Sequence, residues 1–181
     1  MAEEAPLHPN VARVMRAAAA SGLAISVARF PEGTRTAEDA ARAVGCDVAQ
    51  IVKSLVFVAD GQPVVALVSG ADRLDPDRLA AALGAAEVRR AGGDEVRQAT
   101  GYAIGGVPPV GHAGPLPVLI DERLFAHDEV WAAAGLPDAV FRCTPGALAE
   151  AIGARRAALA ADTPVRVEPA APRSGSRRRP G

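Results

Sequence analysis

The sequence predicts one α+β domain built on a mixed, largely antiparallel sheet flanked by helices, and three observations carry that prediction. The chain has 181 residues, enough to bury a single core without disulfide or metal staples. Short apolar runs of strand length are interspersed with capped helical stretches, without the regular strand–helix–strand rhythm of a parallel sheet. Two of those runs, Ile51–Val58 and Val64–Ser69, flank Asp60-Gly61-Gln62-Pro63, whose turn chemistry marks a β-hairpin. There is no internal repeat.

Taken in order, residues 1–9 read as a flexible N-terminus. A helix is predicted from Asn10 to Ser21, with Val11, Val14, Met15 and Ala18 on one stripe and Gly22 positioned to end it. Ala24–Phe30 reads as a strand turned by Pro31-Glu32-Gly33. Thr36 is a good N-cap for a second helix, with Glu38 and Asp39 in its first turn where the helix dipole favours acids, and Gly45 stops it. After the hairpin, Asp75-Pro76 opens a helix that buries Leu79 and Leu83 and ends at Gly84. Glu87–Ala91 is a short strand and Asp94–Thr100 a short helix closed by Gly101. Leu116–Ile120 is a strand with Asp121 at its end. Glu129–Ala134 fits a strand or a helix, and Ala139–Cys143 a strand. Thr144-Pro145 starts a last helix that runs through Leu148 and Ile152 to Gly153. The domain is therefore drawn as residues 10–160. Residues 161–181, rich in Pro, Ala, Ser and Arg, are expected to be a disordered basic tail.

Both faces of Ile51–Val58 are mostly apolar, which predicts a central strand covered on both sides. Period-2 spacing places Ile51, Lys53, Leu55 and Phe57 on one face and Val52, Ser54, Val56 and Val58 on the other. A charge within such a strand is costly unless it reaches a cleft or a partner. Lys53 is also the only lysine, the other 19 basic residues being arginines. Arginine is a wide planar fork and lysine a compact point charge on a thin stem. Two readings stand: a pocket too narrow for guanidinium, or a lysine that snorkels from a strand end.

Residues 101–117 hold five glycines and four prolines. Glycines let backbone N–H groups approach a ligand and prolines stiffen the turns that aim them, which suits an anion or a polarised carbonyl. An ordinary long connection would have the same composition.

Several functions are disfavoured. Cys46 and Cys143 form no disulfide framework or metal knuckle, and His8, His112 and His127 have no ligand spacing with them. No metal or cofactor is expected. No apolar run is long enough to span a membrane and the N-terminus is acidic where a signal peptide is basic, so a soluble cytoplasmic protein is expected. Aromatics are 3% of the chain, too few for an extended single-strand binder built on stacked bases. Net charge is −1; setting aside the four tail arginines, Arg173, Arg177, Arg178 and Arg179, leaves −5 on residues 1–172. That tail suits salt-sensitive phosphate contact, or is an idle solvated terminus.

An ordered set of segments resembles a known family. Thr36-Ala37-Glu38-Asp39-Ala40-Ala41 leads to Gln50-Ile51-Val52-Lys53-Ser54-Leu55-Val56-Phe57. Gly70, Arg73-Leu74-Asp75, Thr100-Gly101, Gly105-Gly106-Val107-Pro108-Pro109-Val110-Gly111 and Val118-Leu119-Ile120-Asp121 follow. In that order and spacing, over about residues 10–153, they look like the YbaK/ProX family of free-standing aminoacyl-tRNA editing domains, related to the insertion domain of bacterial prolyl-tRNA synthetases. The resemblance implies a barrel-like sheet and hydrolysis of the ester between a wrong amino acid and the 3′ end of tRNA, most often tRNA for proline. It places the family's essential lysine on Lys53 and its Gly-x-x-x-Pro loop on Gly105 to Pro109, so Lys53, Gly105, Gly106 and Pro109 are the expected catalytic set. Ser54, Gly70, Gly111, His112 and Asp121 are the expected substrate-binding set. Asp121 matches a recurrent acid of unassigned role, and His112 is included only because it follows the loop. The expected partners are the aminoacyl-tRNA 3′ end and, as a further candidate, a prolyl-tRNA synthetase. Two rivals are a non-catalytic binder of aminoacyl-tRNA or an aminoacyl-nucleotide-like ligand, and a hydrolase of another small ester or amide. No Ser-His-Asp order or Gly-x-Ser-x-Gly elbow competes, and the two cysteines read as core residues.

Overall fold

The computed structural model describes residues 6–30 and 34–162. The N-terminal five residues, the Pro31-Glu32-Gly33 turn and the arginine-bearing tail from residue 163 onward lie outside the described residues.

Five helices follow from their caps. Helix α1 (Pro9–Ala20) starts one residue before the expected Asn10 because proline suits the first helical position, while His8 Nδ1 accepts from the Asn10 N–H. In α2 (Ala37–Val44), Thr36 and Asp39 form a reciprocal capping box, and Gly45 ends the helix in the left-handed region. Helices α3 (Pro76–Leu83), α4 (Gly93–Thr100) and α5 (Pro145–Ile152) end the same way at Gly84, Gly101 and Gly153.

Among the described residues eight strands form one sheet: β1 (Val27–Arg29), β2 (Ile51–Ala59), β3 (Gln62–Ser69), β4 (Val88–Arg90), β5 (Val118–Asp121), β6 (Val130–Ala133), β7 (Ala139–Cys143) and β8 (Arg155–Ala157). The order is β1-β7-β6-β2-β3-β5-β8, with β4 also paired to β2. Pairs β1–β7, β2–β3, β2–β4 and β6–β7 are antiparallel, and β2–β6, β3–β5 and β5–β8 parallel. The sheet is mixed as expected, but it does not close into a barrel. Its end strands β1 and β8 are three residues long and each pairs with a single neighbour.

The hairpin turns on Asp60-Gly61, both with positive φ. The Asp60 carboxylate accepts from the Ala86 and Glu87 N–H groups and so ties the turn to the approach of β4. Glu129–Ala134 resolves as a strand because it pairs with both β2 and β7. Sequence reasoning missed β8 and the 3-10 turns at Val48–Gln50 and Glu122–Ala126. Arg155-Arg156 shows no apolar alternation, so its strand state comes from pairing with β5.

Strand β2 is central and covered on both sides. Val52, Val56 and Val58 join one cluster with Val11, Val14, Phe141 and Leu148, whereas Phe57 joins another with Leu79, Leu119 and Leu159. Among the described residues no helix is long and apolar enough to cross a membrane.

One edge of β2 is paired with β3 from Val52 to Ala59. The other edge is shared. Strand β6 takes Ile51 and Val52, and β4 takes Phe57, Val58 and Ala59. The Ala91 N–H extends the β4 side by one bond, 3.1 Å to the Val56 carbonyl. A gap in the sheet is left opposite Lys53, Ser54 and Leu55.

Candidate active site

A cavity of about 340 Å³ opens at that gap. Its lining includes every residue from Ile51 to Val56, so both faces of β2 contribute, as they must where a cavity abuts a strand's edge. The remaining wall comes from Thr34–Ala37 and Ala40, Arg90 and Ala91, Val96, the loop residues Ile104, Gly105 and Val107, and the β6–β7 hairpin from Trp131 to Val140.

Lys53 lies in this wall and is half-buried. Its Nζ donates to the Asp72 carbonyl at 2.5 Å. Burial lowers its pKa from the ordinary 10.5, Asp72 opposes the shift, and Arg90 adds to it. The Asp72 carboxylate is engaged instead with Arg123 at 2.9 Å. Among the described residues no carboxylate forms an ion pair with Lys53, Arg35 or Arg90, and the lining contains those three cations and no acid. The site is therefore electropositive, with an apolar floor of Val52, Val56, Val96, Val107 and Val140.

The loop from residue 101 to 117 has no regular structure, yet it is fastened throughout. Tyr102 is buried under the Arg13 guanidinium, 4.9 Å from its ring, and its hydroxyl donates to the Gly111 carbonyl at 2.8 Å. The His112 ring contacts the Pro108 carbonyl through Nε2 at 2.7 Å. Burial lowers the His112 pKa and the Pro108 contact opposes the shift, because the carbonyl accepts from a protonated Nε2. These contacts set Gly105 (φ +91°) at the cavity wall. Gly106 packs on the Gly135-Leu136 turn, where an added Cβ would lie 3.1 Å from the Leu136 Cα.

The structure thus places Lys53, Ser54 and Gly105 around one cavity. Gly106 and Pro109 are buried and do not line the cavity, and Gly106 donates its N–H to the Ala103 carbonyl. Gly70, Gly111, His112 and Asp121 do not line the cavity. Gly70 is required for close approach, since a Cβ there would meet the Val48 carbonyl at 2.6 Å and Ala37 Cβ at 2.9 Å. Gly111 packs against α1 and Tyr102. Asp121 is 1% exposed and binds backbone: Oδ1 accepts from the Arg123 N–H, and Oδ2 from the Leu159 and Ala160 N–H groups at 2.7 and 2.9 Å. Cys46 and Cys143 are free thiols outside the lining, and burial pushes Cys143 up to about 12. Among the described residues no group of three His, Cys, Asp or Glu side chains could hold a metal.

Sequence reasoning missed Arg35, Arg90, Thr34 and Trp131. Arg90 had a signal: adjacent arginines on a strand point to opposite faces, so Arg89 and Arg90 had to meet different surroundings. Arg89 pairs with Glu95 at 2.7 Å, and Arg90 lies over the Phe57 ring beside the cavity.

Residues 31–151 match the family described as the aminoacyl-tRNA editing domain. The chain belongs to that family. A solved structure of a candidate trans-editing enzyme for prolyl tRNA synthetase superposes with TM-score 0.82 and 48% identity, over 86% of this chain and 99% of that one. The proline–tRNA ligase of Citrifermentans bemidjiense is 43% identical over 92 residues, 51% of this chain but 16% of the ligase. The chain therefore spans about a sixth of the length of such ligases. YwhH of Bacillus subtilis is 31% identical over 124 residues, covering 68% of this chain and 79% of YwhH.

Proposed function

We propose that this editing-family domain is a trans-acting hydrolase that cleaves the 3′ ester of mischarged aminoacyl-tRNA, with tRNA for proline as its substrate. The observation that carries this reading is the acid-free cavity whose lining includes both Lys53 and Gly105. An aminoacyl ester is already activated, so a held carbonyl and a placed water suffice without a metal or a strong nucleophile. The Gly105 and Val107 N–H groups take no part in the described hydrogen bonds and border the cavity, so they are the loop's available donors. A well-placed donor of this kind supplies about 3–4 kcal/mol of transition-state stabilisation. Lys53 holds the terminal adenosine or its phosphate as a point charge, and Arg35 and Arg90 extend the positive field toward the rest of the acceptor end. The cavity lining has no His, Cys or carboxylate to act as base; the neighbouring ribose hydroxyl of the tRNA helps activate the water, taking its proton as it gives its own to the departing 3′ oxygen.

The test is deacylation of a panel of mischarged prolyl-acceptor tRNAs by the wild type, Lys53→Ala and Lys53→Arg. Cleavage by the wild type with loss in both variants is expected. The Arg variant keeps charge and changes shape, so its loss identifies the compact ammonium as the requirement. Full activity in both folded variants removes Lys53 from the mechanism. Protection of the ester by the wild type makes the domain a binder instead.

A further inference from the structure

The gap in the sheet has a consequence for how the aminoacyl group is held. Residues of an antiparallel strand present N–H and C=O alternately to its two edges. The Ile51 carbonyl accepts from Gly70 on the β3 side, and the Val56 carbonyl accepts from Ala91 on the β4 side. Odd-numbered residues of β2 therefore face β3, and Ser54 faces the gap with both its N–H and its C=O. Strand β6 has already ended its pairing at Val52, and β4 begins at Phe57. Among the described residues neither Ser54 main-chain group has a partner at that edge. Ser54 Oγ is likewise buried without a hydrogen bond, the one such side-chain atom among the described residues. Main-chain polar groups in native folds are almost always satisfied, so unpaired ones at the edge of a cavity mark where a ligand supplies the partners.

We propose that the open edge of β2 at Ser54 binds the aminoacyl group as a one-residue β-bridge. A residue in the close antiparallel pairing donates one N–H and accepts one N–H from the residue opposite. An α-aminoacyl ester carries the same pair: its α-ammonium donates to the Ser54 carbonyl and its ester carbonyl accepts from the Ser54 N–H. This rests on the editing reading above and adds what the site recognises: the main-chain atoms of an α-amino acid, before any side chain is read. Paired residues project side chains to a common face. The substrate's side chain therefore falls on the Ser54 face, among Val52, Val56, Val107 and Ala132, where small apolar groups fit.

The experiment uses the wild-type chain and two non-hydrolysable probes, 3′-alanylamino-3′-deoxyadenosine and its 3′-propionylamino counterpart, which lacks the α-amino group. With the alanyl probe, the Ser54 amide resonance is expected to shift and its hydrogen exchange to slow. The propionyl probe is expected to bind about 10- to 100-fold more weakly, the loss of one hydrogen bond from a charged donor. Equal affinity for the two probes, or alanyl binding that leaves the Ser54 amide unmoved, overturns the bridge while leaving the editing reading intact. Binding of neither probe overturns both.

Discussion

Replacing Asp121 separates a structural acid from a substrate-binding one. The carboxylate accepts three main-chain N–H groups, from Arg123 at 3.0 Å and from Leu159 and Ala160 at 2.7 and 2.9 Å, and is 1% exposed. Asp121→Ala strands the Leu159 and Ala160 amides in the interior and uncaps the Glu122–Ala126 turn. Removing one partner from a buried charge-assisted hydrogen-bond cluster costs about 3–5 kcal/mol, and a loss of that size is expected. Asp121→Asn keeps one oxygen for Leu159 and Ala160 but turns an NH₂ toward the Arg123 N–H, and is expected to lose about 1.5–3 kcal/mol. In urea, with a slope of about 2 kcal/mol/M, the Ala variant's midpoint falls by about 1.5–2.5 M. Deacylation measured per folded molecule is expected to stay near wild type in the Asn variant, because the side chain does not border the cavity. A variant with wild-type urea midpoint and lost turnover would refute the assignment and return Asp121 to the substrate.

Further outcomes follow from the same geometry. Because Lys53 is the only lysine, lysine labelled with ¹³C at Cε yields one resonance, whose titration midpoint is expected below 10.5. Burying the ammonium costs stability while it is charged, and that cost is relieved as pH rises through the lowered folded pKa toward 10.5; a Lys53→Met variant should lack this rise, and a midpoint at or above 10.5 contradicts it. Gly70→Ala places a Cβ 2.6 Å from the Val48 carbonyl, and calorimetry should show a loss of about 1–3 kcal/mol as the Val48–Gln50 turn and α2 shift. Ser54→Ala removes a buried hydroxyl without a partner, so its unfolding free energy should rise by about 1 kcal/mol, and a comparable loss would show that the hydroxyl has a partner in solution.

What the sequence made legible was local. Thr36, Asp75 and Thr144 cap helices that end at Gly45, Gly84 and Gly153, and Asp60-Gly61 closes the hairpin, because each signal acts within a few residues of itself. The alternation in β2 was legible for the same reason. Strand β8 was not, since its only cause is the neighbouring β5, more than 30 residues earlier in the chain. Gly70 and Asp121 were legible as unusual residues but not as structural ones. The atoms that need them, the Val48 carbonyl and the Leu159 and Ala160 amides, reach them through the fold. The same limit hid Arg35, Trp131 and the wall they share with Lys53.

The cavity's position explains why a central strand can carry chemistry at all. A strand paired along both edges has no main-chain group to offer, and a strand at the sheet's margin offers them to any passing chain. Strand β2 avoids both conditions because β6 pairs with its start and β4 with its end, and neither pairing reaches Ser54. The interruption is short, is covered by the loop that Tyr102 and Arg13 fasten, and has Lys53 on the adjoining residue of the same strand. Strands β2, β4 and β6 border it with paired main chain, which suits the positioning that the proposed attack of water on an activated ester requires.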